Sequence, residues 1–466
     1  MDGHLTGLIL AEGGGDGFKS QTPKVLHPLL GVSMLRLSVE AVRAAGPVRI
    51  IVAAGIPAEV AAAELAGHSV EIVALSSGKG QAPLRRTLGK VAAGNPDGDI
   101  LVVPADVPTV DPALLRALVA RHRRQGYACT MLWADIEHQG DIKRRNLARS
   151  IEARKPVPSP THPHRVPTGI FVFQTGDLRK VFSKAAKAGP SGRFDPAAAF
   201  SLLASSKRPL GVFLALDPDD VRRIRTRHAL GQAAERMRLR KARALADAGV
   251  TVLSPGGTWI DWAVRIGPET VVYPGAVIEG PTVIGRNCRI YPNAHISGST
   301  IGNDVHVLSS TVIDEATLED DVRIGPFARV RMQTVLRSGS RVGNFVEMKK
   351  TDFGPGSKAM HLSYLGDSEV GPAANIGAGT ITCNYDGVNK NRTVIGPGAF
   401  IGSGSELVAP VRIGKGAYVA AGSVITKDVA DDALAVARGH QVEKPGWAAA
   451  RREKLAAAKK TSGHKK

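Results

Sequence analysis

A six-residue repeat of aliphatic side chains in the second half of the chain limits its possible folds more than any other feature. One run comprises Ile395, Ile401, Leu407, Ile413, Val419 and Ile425, and an earlier run comprises Ile266, Val272, Ile278, Ile284, Ile290 and Ile296. A period of six matches neither an α-helix nor a single β-strand. It fits a coil with three flat faces and one inward aliphatic residue on each face. The repeat therefore predicts a parallel β-helix rather than ordinary strands with coincidental spacing.

The overall composition indicates a globular protein with more than one domain. The chain has 466 residues, of which 43% are hydrophobic, and a single core rarely grows to that size. No apolar segment is long enough to span a membrane, and no leader-like segment opens the chain. The three cysteines, Cys129, Cys288 and Cys383, lack the spacing of metal ligands. We therefore expect a cytoplasmic protein.

The chain carries a formal net charge of +19, and two segments hold much of the excess. Val221–Arg243 is expected to be a helix with a basic face, and the Lys/Arg-rich tail Arg451–Lys466 is expected to be frayed. Such charge could attract nucleic acid. Neither segment interleaves aromatic with basic residues, however. A basic surface, together with a site for phosphorylated ligands, is the favoured interpretation.

Strands and helices alternate from the start of the chain to Ala215. Apolar strands are predicted at Leu5–Leu10, Pro47–Ala54 and Asp99–Val103. This alternation indicates a Rossmann-like α/β domain with a mostly parallel sheet, whose ligands bind beyond the carboxyl ends of the strands. We expect this domain to span residues 1–217. A linker helix at 218–250, the β-helix at 251–429 and a basic tail at 430–466 would follow it.

Three features of the first domain favour nucleotide chemistry. The Gly-rich loop Glu12–Gly17 follows the first strand, and its backbone N–H groups could approach phosphates. A tight surface turn is the alternative interpretation. Lys24 could reach a triphosphate, and Asp106, at the end of the third strand, could hold a divalent cation that bridges phosphates. Together these groups would suit nucleotidyl transfer.

A dense polar segment interrupts the aliphatic repeat. Residues one coil apart lie over one another in a β-helix, so five of these polar side chains could converge: Arg331, Lys349, Tyr364, Asn375 and Lys390. Their three cations would bind an anion such as a sugar phosphate. His361 could act nearby as a general base. Each residue alone also has an ordinary reading, as a structural histidine or as a solvent-facing lysine.

Several motifs resemble the GlmU family, the bifunctional bacterial enzymes that make UDP-N-acetylglucosamine for cell-wall biosynthesis. These motifs are PKVLH at 23–27, VGNFVEMKK at 342–350, SYLGD at 363–367 and NIGAGTITCNYDG at 375–387. The resemblance implies an N-terminal uridyltransferase of the nucleotide-diphospho-sugar transferase type. It also implies a C-terminal acetyltransferase built as a left-handed parallel β-helix of hexapeptide repeats.

The resemblance assigns roles to residues of the second domain. His361 is implied to be the catalytic base that removes a proton from the amine of glucosamine 1-phosphate during acetyl transfer from acetyl-CoA. The five converging residues are implied to bind that sugar phosphate. Contacts with acetyl-CoA are implied for Ala378, Asn384, Tyr385, Ser403, Ala421 and Arg438. Glu347 would orient neighbouring groups, while Cys383 is expected to pack rather than to act as a nucleophile. Family sites form between subunits, so we expect a homotrimer with no membrane partner.

The match in the first domain is incomplete. The resemblance implies nucleotide contacts for Gly13, Lys24, Gly80 and Gly169, and Mg²⁺ ligation by Asp106 and Asp217. Gly17 stands at the position of the family's catalytic arginine, and Pro167 replaces an asparagine. We therefore expect an acetyltransferase whose uridyltransferase is impaired. A fully bifunctional enzyme that also uses UTP, and a non-catalytic trimeric scaffold or nucleotide-binding protein, remain alternatives.

Overall fold

The computed structural model describes residues 4–11, 16–75, 82–95, 97–135, 165–180, 200, 203–204 and 208–462. The chain forms two compact units. Unit 1 comprises Met1–Arg265 and Val277–Pro281, and unit 2 comprises Ile266–Ala276 and Thr282–Lys466. Two of the predicted nucleotide contacts, Gly13 and Gly80, lie outside the described residues.

Unit 1 contains a mostly parallel sheet with helices on both faces. Its strands are β1 (Leu5–Ala11), β2 (Pro28–Leu29), β3 (Val32–Ser33), β4 (Arg49–Ala54), β5 (Glu71–Ala74), β6 (Asp99–Pro104), β7 (Cys129–Asp135), β8 (Arg165–Gln174) and β9 (Leu210–Ala215). Its helices are α1 (Met34–Arg43), α2 (Ala58–Glu64), α3 (Ala82–Ala93), α4 (Pro112–Gln125) and α5 (Arg227–Asp247), with 3-10 turns at Asp16–Phe18, Lys24–Leu26, Pro218–Val221 and Pro255–Gly257.

The strand order of the main sheet is β5-β4-β1-β6-β8-β7-β9, and β8 runs antiparallel to both of its neighbours. Every residue of β1 is buried, as expected for a central strand covered on both faces. Helices α1, α2 and α4 pack on one face, and α3 packs on the other. The three strands predicted from the sequence are present, with ends shifted by one or two residues.

The predicted linker helix begins later than expected, at Arg227. Asp217 caps a separate 3-10 turn at Pro218–Val221, and the Thr226 side chain then accepts a hydrogen bond from the backbone N–H of Ala229. A threonine at this position satisfies one of the free N–H groups at a helix start. Helix α5 packs its apolar residues, including Met237, against a cluster around Phe18 within unit 1.

The second half of the chain consists of short strands joined by tight turns. These strands are β10 (Thr251–Val252), β11 (Trp259–Ile260), β12 (Arg265–Ile266), β13 (Val271–Val272), β14 (Val277–Glu279), β15 (Val283–Ile284), β16 (Arg289–Ile290), β17 (His295–Ser297), β18 (Thr300–Ile301), β19 (His306–Val307), β20 (Val312–Asp314), β21 (Thr317–Leu318), β22 (Arg323–Ile324), β23 (Arg329–Arg331), β24 (Val335–Leu336), β25 (Arg341–Asn344), β26 (Glu347–Lys349), β27 (Asp352–Phe353), β28 (Lys358–His361), β29 (Tyr364–Gly366), β30 (Ser368–Val370), β31 (Asn375–Ile376), β32 (Ile381–Cys383), β33 (Thr393–Ile395), β34 (Phe400–Ile401), β35 (Glu406–Val408), β36 (Val411–Ile413), β37 (Tyr418–Val419), β38 (Val424–Ile425) and β39 (Leu434–Ala435).

Within unit 2, which holds β13 and β15–β39, the strands stack as three parallel sheets, and up to β38 every third strand belongs to the same sheet. All twelve aliphatic residues of the six-residue repeat are buried, which confirms the predicted β-helix. The glycines that follow the repeat allow close stacking of successive coils. A side chain on Gly402, for example, would collide with the backbone of Ala421 in the next coil.

The C-terminal tail is more ordered than expected. Strand β39 lies beyond the expected end of the β-helix at residue 429, and helix α6 spans Trp447–Ser462. The expectation of a frayed tail is therefore wrong for this segment, whose alanines and charged residues have high helix propensity. Among the described residues, no helix combines the length and the apolar composition needed to cross a membrane.

Candidate active site

One outward surface of unit 2 collects several of the side chains expected to bind a sugar phosphate. Strands β23, β26 and β29 are neighbours, and their register places Arg331 beside Lys349 and Glu347 beside Tyr364. The intervening Met348 is fully buried, so the residues that flank it point outward. We call the surface made by Arg331, Glu347, Lys349 and Tyr364 the polar face.

Arg331 is held on the polar face by Glu347. Its Nε and Nη2 atoms donate hydrogen bonds to Glu347 Oε1 at 2.9 and 2.8 Å. Both side chains remain partly exposed. The pair therefore orients the guanidinium without removing its charge from contact with a ligand. This contact agrees with the orienting role expected for Glu347.

His361 lies at the end of β28, next to Asn344 at the end of β25. The Nδ1 atom of His361 is 2.9 Å from Asn344 Oδ1. An amide oxygen only accepts hydrogen bonds, so Nδ1 is the donor in this contact, and in the neutral tautomer that makes it Nε2 is the unprotonated nitrogen. The ring is exposed, which leaves Nε2 open to an incoming amine.

A glycine makes room for Tyr364 at the edge of the polar face. A side chain at Gly366 would collide with the Tyr364 hydroxyl and would crowd Asn384. Asn384 is buried, and its Nδ2 atom donates to Asp367 Oδ2 at 2.5 Å. Asp367 therefore orients the side-chain amide of Asn384, a predicted acetyl-CoA contact, near Tyr364, a predicted sugar-phosphate contact.

The loop after β32 brings Tyr385 and Lys390 together. Asp386 Oδ1 accepts hydrogen bonds from the backbone N–H groups of Asn389 and Val388 at 2.6 and 2.8 Å. These bonds lower the pKa of Asp386 to about 2 and keep its carboxylate charged. The closed loop places Lys390 Nζ 3.8 Å from the centre of the Tyr385 ring, a cation–π contact.

Three of the predicted acetyl-CoA contacts form a column at one corner of the β-helix. The residue after Ser403 donates its N–H to the carbonyl of Ala378 at 2.7 Å, and the residue after Ala421 donates to the carbonyl of Ser403 at 2.8 Å. Arg438 Nη1 donates to the carbonyl of Ala421 at 2.8 Å. The column therefore carries the small side chains of Ala378, Ser403 and Ala421, and Arg438 lies at its end.

Asn375 lies apart from the polar face. It belongs to β31, where its neighbours in register are Lys358 and Phe400, and this sheet is the one that contains β28. In a single chain, the structure therefore gathers Arg331, Lys349 and Tyr364 on one sheet and Asn375 on the next. Lys390 extends from a loop.

In unit 1, Asp106 lies in a buried cluster with two cations. Lys24 Nζ is 2.6 Å from Asp106 Oδ2. Arg223 donates from Nε to Oδ1 at 2.8 Å and from Nη2 to Oδ2 at 3.0 Å. Burial alone would raise the pKa of Asp106, but Arg223 and Lys24 outweigh it and lower the pKa. We call the cluster of Lys24, Arg223 and Asp106 the basic clamp.

Asp217 belongs to a different cluster. Its carboxylate accepts the backbone N–H of Asp219 at 2.9 Å and pairs with Arg236. Burial acts to raise the pKa of Asp217, and these two partners lower it. Among the described residues, no group of three or more His, Cys, Asp or Glu side chains could hold a metal ion. Because cations already occupy both oxygens of Asp106, the described residues do not fit a Mg²⁺ site.

Two glycines of unit 1 are informative for different reasons. Gly169 has a φ of +90°, and a side chain there would approach Pro104 at 3.1 Å, close to the predicted site at Asp106. Gly17 abuts the carbonyl oxygen of Arg225, so a side chain at position 17 would collide with that backbone. The arginine missing from position 17 therefore could not be accommodated in this arrangement.

Comparisons with known proteins cover nearly the whole chain. A model of MobA-like NTP transferase domains matches residues 7–248, a GMPPB C-terminal domain model matches 260–355, and six bacterial transferase hexapeptide repeats match 392–427. The bifunctional protein GlmU of Pelobacter propionicus is 37% identical over 95% of this chain and 98% of its own. The GlmU proteins of Thermotoga petrophila and Thermotoga maritima are each 38% identical over 96% of this chain and 100% of their own.

The chain belongs to the GlmU family. Its expected architecture is confirmed, with an NTP-transferase α/β domain followed by a left-handed parallel β-helix of hexapeptide repeats. Its assignment to the transferases is confirmed as well. The roles of the individual site residues stay predictions.

Two residues in these sites were not singled out from the sequence. Asn344 stands one coil before His361, so coil spacing could have identified it. Arg223 had no such signal, because it is separated from Asp106 by 117 residues and lies outside the motifs that resemble the GlmU family.

Proposed function

We propose that this GlmU-family chain transfers an acetyl group from acetyl-CoA to the amine of glucosamine 1-phosphate. The observation that carries the proposal is the pairing of His361 with Asn344, which end the two strands that lead directly into β29 and β26 of the polar face. An exposed imidazole with a fixed tautomer can take a proton, and the neighbouring cations can hold a phosphate. The product, N-acetylglucosamine 1-phosphate, is the precursor of UDP-N-acetylglucosamine.

The reaction follows from the neutral form of His361. Its Nε2 atom accepts a proton from the substrate amine as the amine nitrogen attacks the thioester carbonyl. The tetrahedral intermediate then collapses, the carbon–sulfur bond breaks, and coenzyme A leaves as a thiol after receiving the proton. Hydrogen-bond donors near Tyr385 and Asn384 stabilise the oxyanion.

A covalent acyl-enzyme is not required. Cys383 lies at the end of β32 on the same sheet as the polar face. Its partial burial raises the pKa of its thiol, and Glu406 raises it further. A protonated thiol is a poor nucleophile. Direct transfer to the amine is therefore the simpler route.

The proposed site is completed in a homotrimer. Asn375 lies on a different sheet from the polar face, so one chain alone does not present all five sugar-phosphate contacts on one surface. Packing of the flat sheets around a three-fold axis would bring faces of neighbouring chains together. The column at Ala378, Ser403 and Ala421 would receive the pantetheine arm, with Arg438 at its end. Light scattering of the purified protein gives the subunit number.

The second candidate activity is uridylyl transfer by unit 1, which we propose is impaired. The match of residues 7–248 to NTP transferase domains supports a nucleotide site. Two observations support a lower rate of uridylyl transfer. A side chain at Gly17 has no space, and two cations pair with Asp106. A missing phosphate-clamping arginine commonly costs a factor of roughly 10³ or more.

Two assays on the full chain test these proposals. The first mixes acetyl-CoA with glucosamine 1-phosphate and measures thiol release. The second mixes UTP, N-acetylglucosamine 1-phosphate and Mg²⁺ and measures pyrophosphate release. Thiol release alone supports the proposal for both units, and both signals indicate a fully bifunctional enzyme. Neither signal from a folded protein would overturn the enzymatic proposal and favour a scaffold.

A further inference from the structure

The turn after β23 is held by its backbone rather than by its side chains. Met332 and Gln333 both have left-handed φ values, +54° and +64°, which non-glycine residues adopt uncommonly. Their N–H groups donate to the carbonyls of Asp314 and Glu315 in the preceding coil at 3.1 and 2.7 Å. Because these bonds fix the turn, its conformation does not depend on the side chain of Met332.

Met332 is one of two exposed methionines in the part of the chain that the structure describes. Met332 is 39% exposed and Met360 is 43% exposed. The other described methionines are at most 4% exposed: Met34, Met131, Met237 and Met348. A methionine thioether can be oxidised to the sulfoxide, and a small oxidant reaches an exposed sulfur first. Oxidation of the folded protein is therefore expected at Met332 and Met360.

The sulfur of Met332 contacts a residue of the polar face. Arg331 Nη1 donates to Met332 Sδ at 3.4 Å, while Nε and Nη2 donate to Glu347 Oε1. A thioether is only a weak acceptor, so a phosphate oxygen can replace it on Nη1. The sulfur therefore lies beside the guanidinium nitrogen that Glu347 does not occupy.

Oxidation of Met332 would change the character of this contact. The sulfoxide carries an oxygen on the sulfur, which makes the side chain polar. That oxygen is a better acceptor than the thioether, and it is bonded to an atom that lies 3.4 Å from Arg331 Nη1. The sulfoxide would therefore compete with a phosphate for the guanidinium of Arg331.

We propose that Met332 is a site of reversible oxidation by hydrogen peroxide, and that its sulfoxide weakens the binding of phosphate at Arg331. A sulfur lone pair attacks the peroxide, the O–O bond breaks and an S–O bond forms, so the sulfur loses two electrons and the peroxide is reduced to water. A methionine sulfoxide reductase reverses the step with two thiols, which form a disulfide as the oxygen leaves as water. Met332 is a positioning residue that acts through Arg331. The inference rests on the proposed acetyl transfer, in which Arg331 binds glucosamine 1-phosphate.

Calorimetric titration with glucosamine 1-phosphate, before and after the full chain is treated with hydrogen peroxide, tests the proposal. Mass spectrometry of peptides locates the added oxygen. We expect oxidation of Met332 to raise the wild-type Kd about fivefold or more, and treatment with methionine sulfoxide reductase to restore it. In the thiol-release assay, KM for the sugar phosphate should rise by a similar factor while kcat changes by less than about twofold.

Three variants separate Met332 from other oxidised residues. Met332→Leu keeps an apolar side chain of similar volume, and its Kd should not respond to peroxide. This variant retains Met360 and Cys383, so a response through either of them would persist. Met360→Leu is the matched control and should respond as the wild type does. Met332→Gln places a carbonyl acceptor beside Arg331 and should raise the Kd without any oxidant.

The outcomes distinguish this inference from the proposed function. Equal Kd values before and after oxidation of Met332, or the same response to peroxide in Met332→Leu, would overturn this inference alone. So would a Met332 that stays unoxidised while Met360 is oxidised. Untreated wild-type protein that does not bind glucosamine 1-phosphate would overturn both this inference and the proposed function.

Discussion

The two units use a carboxylate beside cations in opposite ways. On the polar face of unit 2, Glu347 and Arg331 both stay partly exposed, so the pair orients a charge that a substrate can still reach. In unit 1, Asp106 is buried, and its carboxylate is paired with both Lys24 and Arg223. Burial, rather than residue type, therefore determines whether a carboxylate and its paired cation remain accessible to a ligand.

The largest effect should come from His361. Replacing it with alanine should lower kcat for acetyl transfer by roughly 10²–10⁴-fold, the usual contribution of a general base. Thiol release at saturating substrate measures the change. The control is His295→Gln, an exposed histidine on another strand of the β-helix, which should retain wild-type activity. If His361→Ala kept more than about a tenth of the rate, His361 would not be the base.

In unit 1, the largest effect should be on stability. Asp106→Asn should lower the local free energy of unfolding by roughly 3 kcal/mol, because Lys24 would stay buried without its counter-charge. Glu347→Gln in unit 2 should cost less than about 1 kcal/mol, because that pair is partly exposed. Hydrogen exchange of peptides from β6 and β26 measures both values. Equal losses would remove the contrast between the units.

The Asp106 carboxylate should make the stability of unit 1 decrease at acidic pH. The pKa of Asp106 is lowered in the folded protein, so its stabilising contribution is present above the unfolded pKa of about 3.9 and is lost as pH falls through the folded pKa. In Asp106→Asn this part of the dependence should be absent. Hydrogen exchange of β6 in acid follows it.

Lys349 tests whether the polar face holds a phosphate. Lys349→Met should raise KM for glucosamine 1-phosphate by about tenfold or more and change kcat less, because a charge-assisted contact to a non-reacting group is lost. The next residue, Lys350, is exposed at the turn after β26, and Lys350→Met serves as the control. An equal increase in KM from both variants would indicate only a general effect of charge.

Asn344 tests whether the tautomer of His361 matters. Asn344→Ala should lower kcat about tenfold, because the ring loses the acceptor for its Nδ1 proton. Asn344→Asp should move the acid limb of the kcat/KM profile to higher pH, because a carboxylate favours the charged imidazolium. A lower rate with an unmoved profile in Asn344→Asp would point to a structural role only.

Cys383 should give the smallest effect. Cys383→Ala should retain thiol release within about twofold of wild type, because the amine attacks the thioester directly. Mass spectrometry of wild-type protein after brief mixing with acetyl-CoA provides the complementary measurement. An acetyl adduct on Cys383 would instead indicate a covalent route through this sheet.

The β-helix could be predicted from the sequence because each coil repeats one simple requirement. Every sixth residue must fill a narrow interior, and all twelve aliphatic residues identified in this way are buried. The central strands of unit 1 were also evident as short apolar runs. Periodicity reveals such elements because their packing is local.

The clamp could not be predicted in the same way. Arg223 and Asp106 meet only after the sheet and the segment before α5 have folded, and no spacing rule relates them. The resemblance implies that Asp217 is a second Mg²⁺ ligand together with Asp106, but the Asp217 side chain caps a 3-10 turn and pairs with Arg236. Side-chain pairing over long sequence separations is set by the three-dimensional fold and not by local sequence pattern.

The stacking of Asn344 under His361 sets a rule for how this chain can change in length. The two residues are separated by 17 positions, one coil of backbone. Inserting or removing a whole coil elsewhere in the stack would leave them in register, whereas a single-residue insertion between them would turn the imidazole away from its partner. The pairing of His361 with Asn344 therefore depends on the number of residues in the coil between them rather than on any particular side chain there, and whole coils could be added elsewhere without breaking it.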